Sequence, residues 1–214
     1  VLLLNKEGIH SFNYVKMNSG YVGIYFSNDD RNFRPKLEIN NSRIHNFLKY
    51  GLVVQNGDVL VTNSEISNTG AYSVYLNGGK HTFIHSTNVR IQPSGKEGNA
   101  AVMIMELNRI IPMETVFKNC IIAGSNSNEL DILTRSDDNY HGSFSHSYIR
   151  KVKPDPVPAM FTNITWYNPK DTIFKNTYYD LKKLQYYNFM PDSISPARNM
   201  ADPDVAKLYP TDLN

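Results

Sequence analysis

The chain of 214 residues carries a formal net charge of +2, with 20% charged and 41% hydrophobic residues. This length predicts one domain with a sizeable core, and the near-neutral charge without a basic run argues against nucleic acid as a partner. No apolar stretch approaches the roughly 20 residues that a membrane-spanning helix needs, and the single cysteine, Cys120, excludes an internal disulfide.

Asparagine is unusually frequent, with 25 residues against 22 lysines and arginines combined. Asn, Gly, Ser, Thr and aromatic residues prevail over the good helix formers, which argues against a helical bundle. Such an excess of one turn-forming residue directs attention to internal repeats.

A six-residue pattern recurs along the chain: apolar, any residue, Asn-like, small polar, any residue, apolar. Its six copies begin at Ile39, Val61, Ile84, Phe117, Phe144 and Phe174, with Asn41, Asn63, Ser86, Asn119, His146 and Asn176 in the Asn-like position. The variable spacing between copies is typical of a fixed structural rung separated by loops that tolerate insertion. Asparagine suits the bends of such a rung because it tolerates a left-handed backbone and because stacked amides hydrogen-bond to one another.

Four segments between these repeats begin with a small residue and then turn apolar: 23–26, 51–54, 73–76 and 101–104. Their period of two predicts strands with one buried face. The same strand types recur in the same order, so we expect each to stack in parallel on its copy one unit earlier. This arrangement is an all-β parallel β-helix of about six coils. A sandwich would need antiparallel turn signals and a propeller would need periods of roughly 40 residues, and both fit less well.

The β-helix is predicted to span residues 1–181, and residues 182–214 are predicted to form an irregular tail that packs on the last coils. Prolines mark 153–170 as a loop insertion around a short strand near Phe161, and a short helix is expected at 203–208. The first residues already have strand character without a capping helix. We therefore expect the sequence to be the later part of a longer solenoid.

Two segments, 117–130 and the tail sequence 195–199 that follows Phe174-Lys175-Asn176, resemble a known family. The chain is similar there to the right-handed parallel β-helix proteins of the choice-of-anchor Q type, common among secreted and surface proteins of Bacteroidetes. The resemblance covers about residues 36–200. It implies a right-handed pectin-lyase-like coil and a secreted or outer-surface location, with lipid anchoring through a preceding N-terminal segment as one form. Relatives in that superfamily include polysaccharide lyases, glycoside hydrolases and adhesins, and the family has no agreed catalytic motif.

Long connections after the fourth and fifth units hold one candidate site. Its residues are Glu106, Arg109, Arg135, Asp137, Asp138 and His141. Paired carboxylates beside a histidine or an arginine could act as acid and base on a glycosidic bond, with Glu106, Asp137, Asp138 and His141 as the catalytic candidates. The carboxylates could instead hold Ca²⁺ to a uronate. The alternative is that these side chains only form turns and face solvent.

A second candidate is the strip Tyr25, Val53, Tyr75 and Met103, which alternation places on the outside of the coil. Outward aromatic rings are surfaces on which sugar rings stack. The alternative is that a long loop, 27–36 or 92–99, covers this strip. Together the two candidates predict a ligand-binding set of Tyr25, Tyr75, Arg109, Arg135, Asp137 and Asp138.

Isolated residues are interpreted as structural. Cys120 is expected in a column of small residues with Ser42, Ser64, Thr87, Ser147 and Thr177, and His146 in the asparagine ladder. Trp166 is expected in the core. His81 and His85 lack a third ligand, so no metal site is predicted there.

Three functions are therefore compatible with the sequence. The first is a secreted or cell-surface protein that binds a polysaccharide or a surface glycan, or acts as an adhesin, without catalysis and without a cofactor other than Ca²⁺. The second is a polysaccharide lyase or glycoside hydrolase acting on acidic polysaccharide. The third is a structural spacer.

Overall fold

The computed structural model describes residues 1–3, 8–28, 34–91, 99–106, 112–135, 139–178 and 187–209. The described residues form twenty strands and one helix. Almost all of the strands pair in parallel with the equivalent strand of the neighbouring coil. The fold is therefore a parallel β-helix, as the repeats predict.

One face of the coil, face 1, is a seven-stranded parallel sheet. Its strands are β2 (Ile9–Asn13), β4 (Lys36–Asn40), β6 (Asp58–Thr62), β9 (Gly79–Ile84), β12 (Met113–Lys118), β15 (Tyr140–Ser145) and β17 (Phe161–Thr162). Buried and accessible side chains alternate strictly in β4 and β12, because only one side of the sheet faces the coil interior.

The other two faces belong to one eleven-stranded sheet, because β3 (Lys16–Ser27) and β5 (Arg43–Gln55) bend and contribute to both. Face 2 contains the first halves of β3 and β5, followed by β7 (Glu65–Thr69), β10 (Thr87–Arg90), β13 (Ile121–Gly124), β16 (Tyr148–Ile149) and β18 (Thr165–Trp166). Face 3 contains β1 (Leu2–Leu3), the second halves of β3 and β5, and then β8 (Val74–Asn77), β11 (Val102–Glu106) and β14 (Leu130–Thr134).

The corner between faces 1 and 2 is built by residues in the left-handed backbone region. Asn41, Asn63, His85, Asn119, His146 and Asn163 occupy it with φ between 44° and 55°. Neighbouring side chains bond along the coil axis, as Asn63 Nδ2 donates to Asn41 Oδ1 at 3.3 Å. The corner between faces 2 and 3 has a shorter ladder, in which Asn68 Nδ2 donates to Asn46 Oδ1 at 2.6 Å. The asparagine excess is thus partly an adaptation to these corners, which hold six of the 25 asparagines.

The predicted register of the third repeat is wrong by one residue. Phe83, not Ile84, continues the inward column of Val61 and Phe117, and His85, not Ser86, has the left-handed corner conformation. Cys120 consequently lies beside Ser86, with the two side chains 3.3 Å apart, rather than beside Thr87.

The sixth repeat is also misassigned. Phe174 begins β19 (Phe174–Asn176), which pairs antiparallel with β20 (Asn188–Pro191) in a separate two-stranded sheet. The sixth rung of the motif is instead formed by Phe161 and Asn163, with Trp166 packed against the core and its ring 5.2 Å from that of Phe161. Thr177 therefore does not join the Cys120 column.

The segment after the last coil folds back over face 2. Ile173, Phe174, Phe189 and Ala197 form one buried cluster with Val89, Ile121, Ala123 and Tyr148 of that face. Asn119 then anchors the chain, because its side chain accepts from Asp202 N–H at 2.8 Å and donates to Asp202 C=O at 3.2 Å. The predicted short helix is confirmed as α1 (Pro203–Leu208), and the Asp202 side chain caps it.

Candidate functional site

The outward strip lies where alternation predicts. Tyr25, Val53, Tyr75 and Met103 pair in register across four coils of face 3. Val53 and Met103 are buried, whereas Tyr25 and Tyr75 are half-buried. The loop residues 29–33 and 92–98, which could cover this strip, lie outside the described residues.

Two further tyrosines form an aromatic cluster with Tyr75 of the strip. The Tyr50 and Tyr72 rings stack nearly parallel, with centroids 6.1 Å apart, and the Tyr75 ring lies 6.2 Å from Tyr50 and 6.0 Å from Tyr72. Equivalent positions of successive coils hold Tyr50 and Tyr72, so stacking follows from the coil repeat itself. We call Tyr21, Tyr25, Lys49, Tyr50, Tyr72 and Tyr75 the tyrosine surface.

A cation lies at one end of the tyrosine surface. The ammonium of Lys49 lies 5.5 Å from the ring centroid of Tyr50 and 5.7 Å from that of Tyr21. Both Lys49 and Tyr21 are exposed, so this end of the surface offers a positive charge and an aromatic face together.

Two phenol groups of the tyrosine surface, those of Tyr72 and Tyr75, are held neutral. Burial raises the pKa of Tyr72, and the charge of Asp131 adds to this effect while Arg90 opposes it. Burial also raises the pKa of Tyr75, with Tyr50 and Tyr25 adding to it. Neutral hydroxyls can both donate and accept: Tyr25 donates to Gln55 Oε1 at 2.9 Å and Tyr75 to Met105 Sδ at 3.2 Å.

Two buried charged residues, Glu129 and Arg90, lie at the corner beside Tyr72. The small residues Gly51, Ser73 and Ala101 occupy equivalent positions in three successive coils. In the next coil this position holds Glu129, which is fully buried. Its carboxylate accepts from Asn126 N–H at 2.6 Å and is close to Arg90, which donates to Gly70 C=O at 3.0 Å. Burial raises the pKa of Glu129 to about 7, with hydrogen bonds and the two arginines Arg90 and Arg150 opposing this rise.

The loop site is only partly described. Arg109, Asp137 and Asp138 lie outside the described residues. Glu106, which ends β11, is buried and accepts from Arg135 N–H at 3.3 Å. His141 is exposed on face 1 beside Glu114, which pairs with Lys80 at 2.9 Å. Acid–base catalysis at this loop site, with or without Ca²⁺, therefore stays a prediction.

No three His, Cys, Asp or Glu side chains of the described residues come close enough together to hold a metal ion. His81 and His85 do not share a face, since His81 points into the coil and His85 forms the corner. Within the described part of the chain, α1 is too short to cross a membrane, and no longer apolar helix is present.

Sequence reasoning identified Tyr25 and Tyr75 but missed Tyr50, Tyr72, Lys49 and the Arg90–Glu129 pair. One available signal was that Tyr50 and Tyr72 each directly precede the small residue of their unit, Gly51 and Ser73. No comparable sequence signal marks Glu129, because it breaks the small-residue pattern instead of following it.

The stacked parallel sheets define the chain as a β-helix protein. Residues 22–111, which are 90 of the 214, match the family model described as right handed beta helix region. No curated protein matches the chain, and no solved structure does. The resemblance to the choice-of-anchor Q type is not tested by these comparisons and stays a prediction.

Proposed function

We propose that this β-helix binds polysaccharide on the tyrosine surface, as a secreted or cell-surface glycan-binding or adhesin-like protein. The observation that carries the proposal is the contact between three half-exposed rings, those of Tyr50, Tyr72 and Tyr75, at the edge of face 3. A cluster of this kind on the outside of a coil is not needed to fill the core, which the inward residues already form.

The chemistry of the surface suits a sugar chain. The C–H face of a pyranose ring is apolar and packs on an aromatic face, while its hydroxyls need hydrogen-bond partners. Tyrosine supplies the ring and a neutral hydroxyl in one side chain, and Lys49 adds donors and a positive charge at the exposed end. The Tyr50, Tyr72 and Tyr75 rings form an open triangular cluster, with centroids 6.1, 6.2 and 6.0 Å apart, and an open cluster can take sugar units from within a longer chain.

Variants of the rings provide the test. The purified chain is screened on a glycan array, and affinity for the best ligand is then measured for Tyr50→Ala, Tyr72→Ala and Tyr72→Phe. We expect each alanine variant to weaken binding about tenfold, which corresponds to about 1.4 kcal/mol. Tyr72→Phe should bind nearly as well as the unchanged chain, because the stacking face remains.

The matched control is Tyr14→Asn. Tyr14 is 71% exposed and lies outside the tyrosine surface, and its φ of 56° is one that asparagine accepts. This variant removes an exposed ring without touching the proposed site, so affinity should not change. An array without any retained glycan, or alanine variants that fold and bind normally, would refute the proposal.

A further inference from the structure

A cavity of about 770 Å³ lies between face 2 and the segment that folds back over it. Ala123 and Gly124 of β13 form one wall, and Ile173, Phe174 and Lys175 form the opposite wall. This volume falls within the range of small-molecule sites in proteins. The cavity and the tyrosine surface belong to different coils, and no residue lines both.

Arg150 is held rigidly at the cavity. Its Nε donates to Asn126 C=O at 2.6 Å, its Nη2 donates to the Tyr167 hydroxyl at 3.4 Å, and its guanidinium carbon lies 4.3 Å from the centroid of the Tyr167 ring. Three of its five N–H groups make no hydrogen bond to the described residues. A fixed, half-buried guanidinium with donors left over is the group that proteins use to bind a carboxylate with two parallel hydrogen bonds.

The other charges of the cavity set the charge of its ligand. Lys175 is exposed on the opposite wall and makes no ion pair with the described residues. Asp171 is the single carboxylate among the described lining residues. Together with the positive charges of Arg150 and Lys175, it gives these lining residues a net charge of +1. Burial raises the pKa of Tyr148 to about 12, and the charges of Arg150, which lowers it, and of Asp171, which raises it, both act on this phenol.

Neutral polar groups complete the lining. Thr172 and Tyr178, which carry hydroxyls, and the apolar Phe174 are among the lining residues. Asp171 can accept hydrogen bonds from hydroxyl groups, and it disfavours ligands with two or more negative charges.

We propose that this cavity binds a sugar acid, a polyhydroxylated ligand with one carboxylate. Arg150 and Lys175 hold the carboxylate, and Asp171 with the neighbouring hydroxyls binds the ring hydroxyls. This proposal goes beyond glycan binding on the tyrosine surface and does not depend on it.

The test is calorimetric titration of the full chain with D-glucuronate, D-glucose and sulfate. We expect binding of D-glucuronate, with both other probes at least fivefold weaker. Lys175→Gln should weaken D-glucuronate binding at least fivefold without affecting folding, since the side chain is exposed. Arg150→Gln should weaken it further, and its folding is checked by circular dichroism.

Two controls separate this proposal from the proposed function. Lys153→Gln removes an exposed lysine outside the cavity, and Tyr72→Ala alters only the tyrosine surface, so both should keep D-glucuronate affinity. No binding of D-glucuronate, or equal binding of D-glucose or sulfate, would overturn the proposal. Unchanged affinity in Lys175→Gln would do so as well.

Discussion

Phe83 and Phe117 stack face to face inside the coil, with ring centroids 4.5 Å apart and planes 2° from parallel. The column continues through Phe144, whose ring lies 5.2 Å from that of Phe117. The column shows directly which residue of the third repeat points inward. Phe83 is fully buried in the main core, whereas the neighbouring Ile84 lies on the opposite side of the strand.

Truncation of Phe83 should therefore lower the free energy of unfolding more than truncation of its neighbour Ile84. We expect Phe83→Ala to lower the free energy of unfolding by about 3–5 kcal/mol, the range for a large core side chain. Ile84→Ala should cost less, about 2 kcal/mol, because Ile84 is buried but lies outside the main core cluster. Urea unfolding followed by circular dichroism measures both values, and equal losses would contradict the observed register.

Asn119 has two separable roles, as a left-handed corner with φ of 55° and as the anchor of Asp202. Asn119→Gly keeps the corner but removes three hydrogen bonds, two to Asp202 and one to the His85 ring. We therefore expect a loss of about 1–3 kcal/mol and faster proteolysis near residue 200. Asn119→Ala should lose about 1 kcal/mol more, because alanine is strained in this backbone region.

Asn163→Gly is the control for the anchor, since Asn163 occupies an equivalent corner and bonds to His146. Limited proteolysis of this variant should leave the tail as resistant as in the unchanged chain. Equal tail cleavage in Asn119→Gly and Asn163→Gly would show that Asn119 does not hold the tail.

His81 should make the protein less stable in acid. The ring is fully buried, and burial lowers its pKa to about 4, against the opposing effect of the Gly78 and Gly57 carbonyls. Below about pH 6.5 the unfolded chain takes up a proton at this residue, whereas the folded protein does not until pH falls to about 4. Stability from His81 is thus lost as pH decreases through this window, by about 1.4 kcal/mol per pH unit at most.

Glu129 has the opposite effect. Its pKa is raised to about 7 in the folded protein, so the folded state takes up a proton near neutrality and the unfolded state only near pH 4.5. Its contribution to stability is present below about pH 4.5 and is lost as pH rises towards 7. The two buried groups therefore oppose each other between about pH 4.5 and 6.5.

Two variants separate these effects. In His81→Leu, which places an apolar side chain in the column of Leu37 and Val59, unfolding free energy should fall as pH rises from 4.5 to 6.5. In Glu129→Gln the unfolding free energy should rise over the same interval of pH. Urea unfolding at half-unit pH steps measures both slopes, and parallel pH profiles for the two variants would contradict these assignments.

The fold and part of the candidate site could be predicted because both depend on local alternation. Inward and outward side chains alternate along every strand, so the period of two is enough to place Ile24 and Leu52 inside and Tyr25 and Tyr75 outside. The third repeat was misplaced because both His85 and Ser86 are polar and hydrogen-bonding, and only strand pairing decides which of them turns the corner.

The sequence by itself determined the parallel coil, the asparagine corners, the short terminal helix and the outward strip, since each depends on the backbone preferences or alternation of neighbouring residues. Only the tertiary structure decided that Glu129 lies near Arg90 and that Arg150 and Lys175 line one cavity. These contacts join residues of different coils or of the tail. They depend on how coils stack and where the tail folds back, which no local pattern encodes.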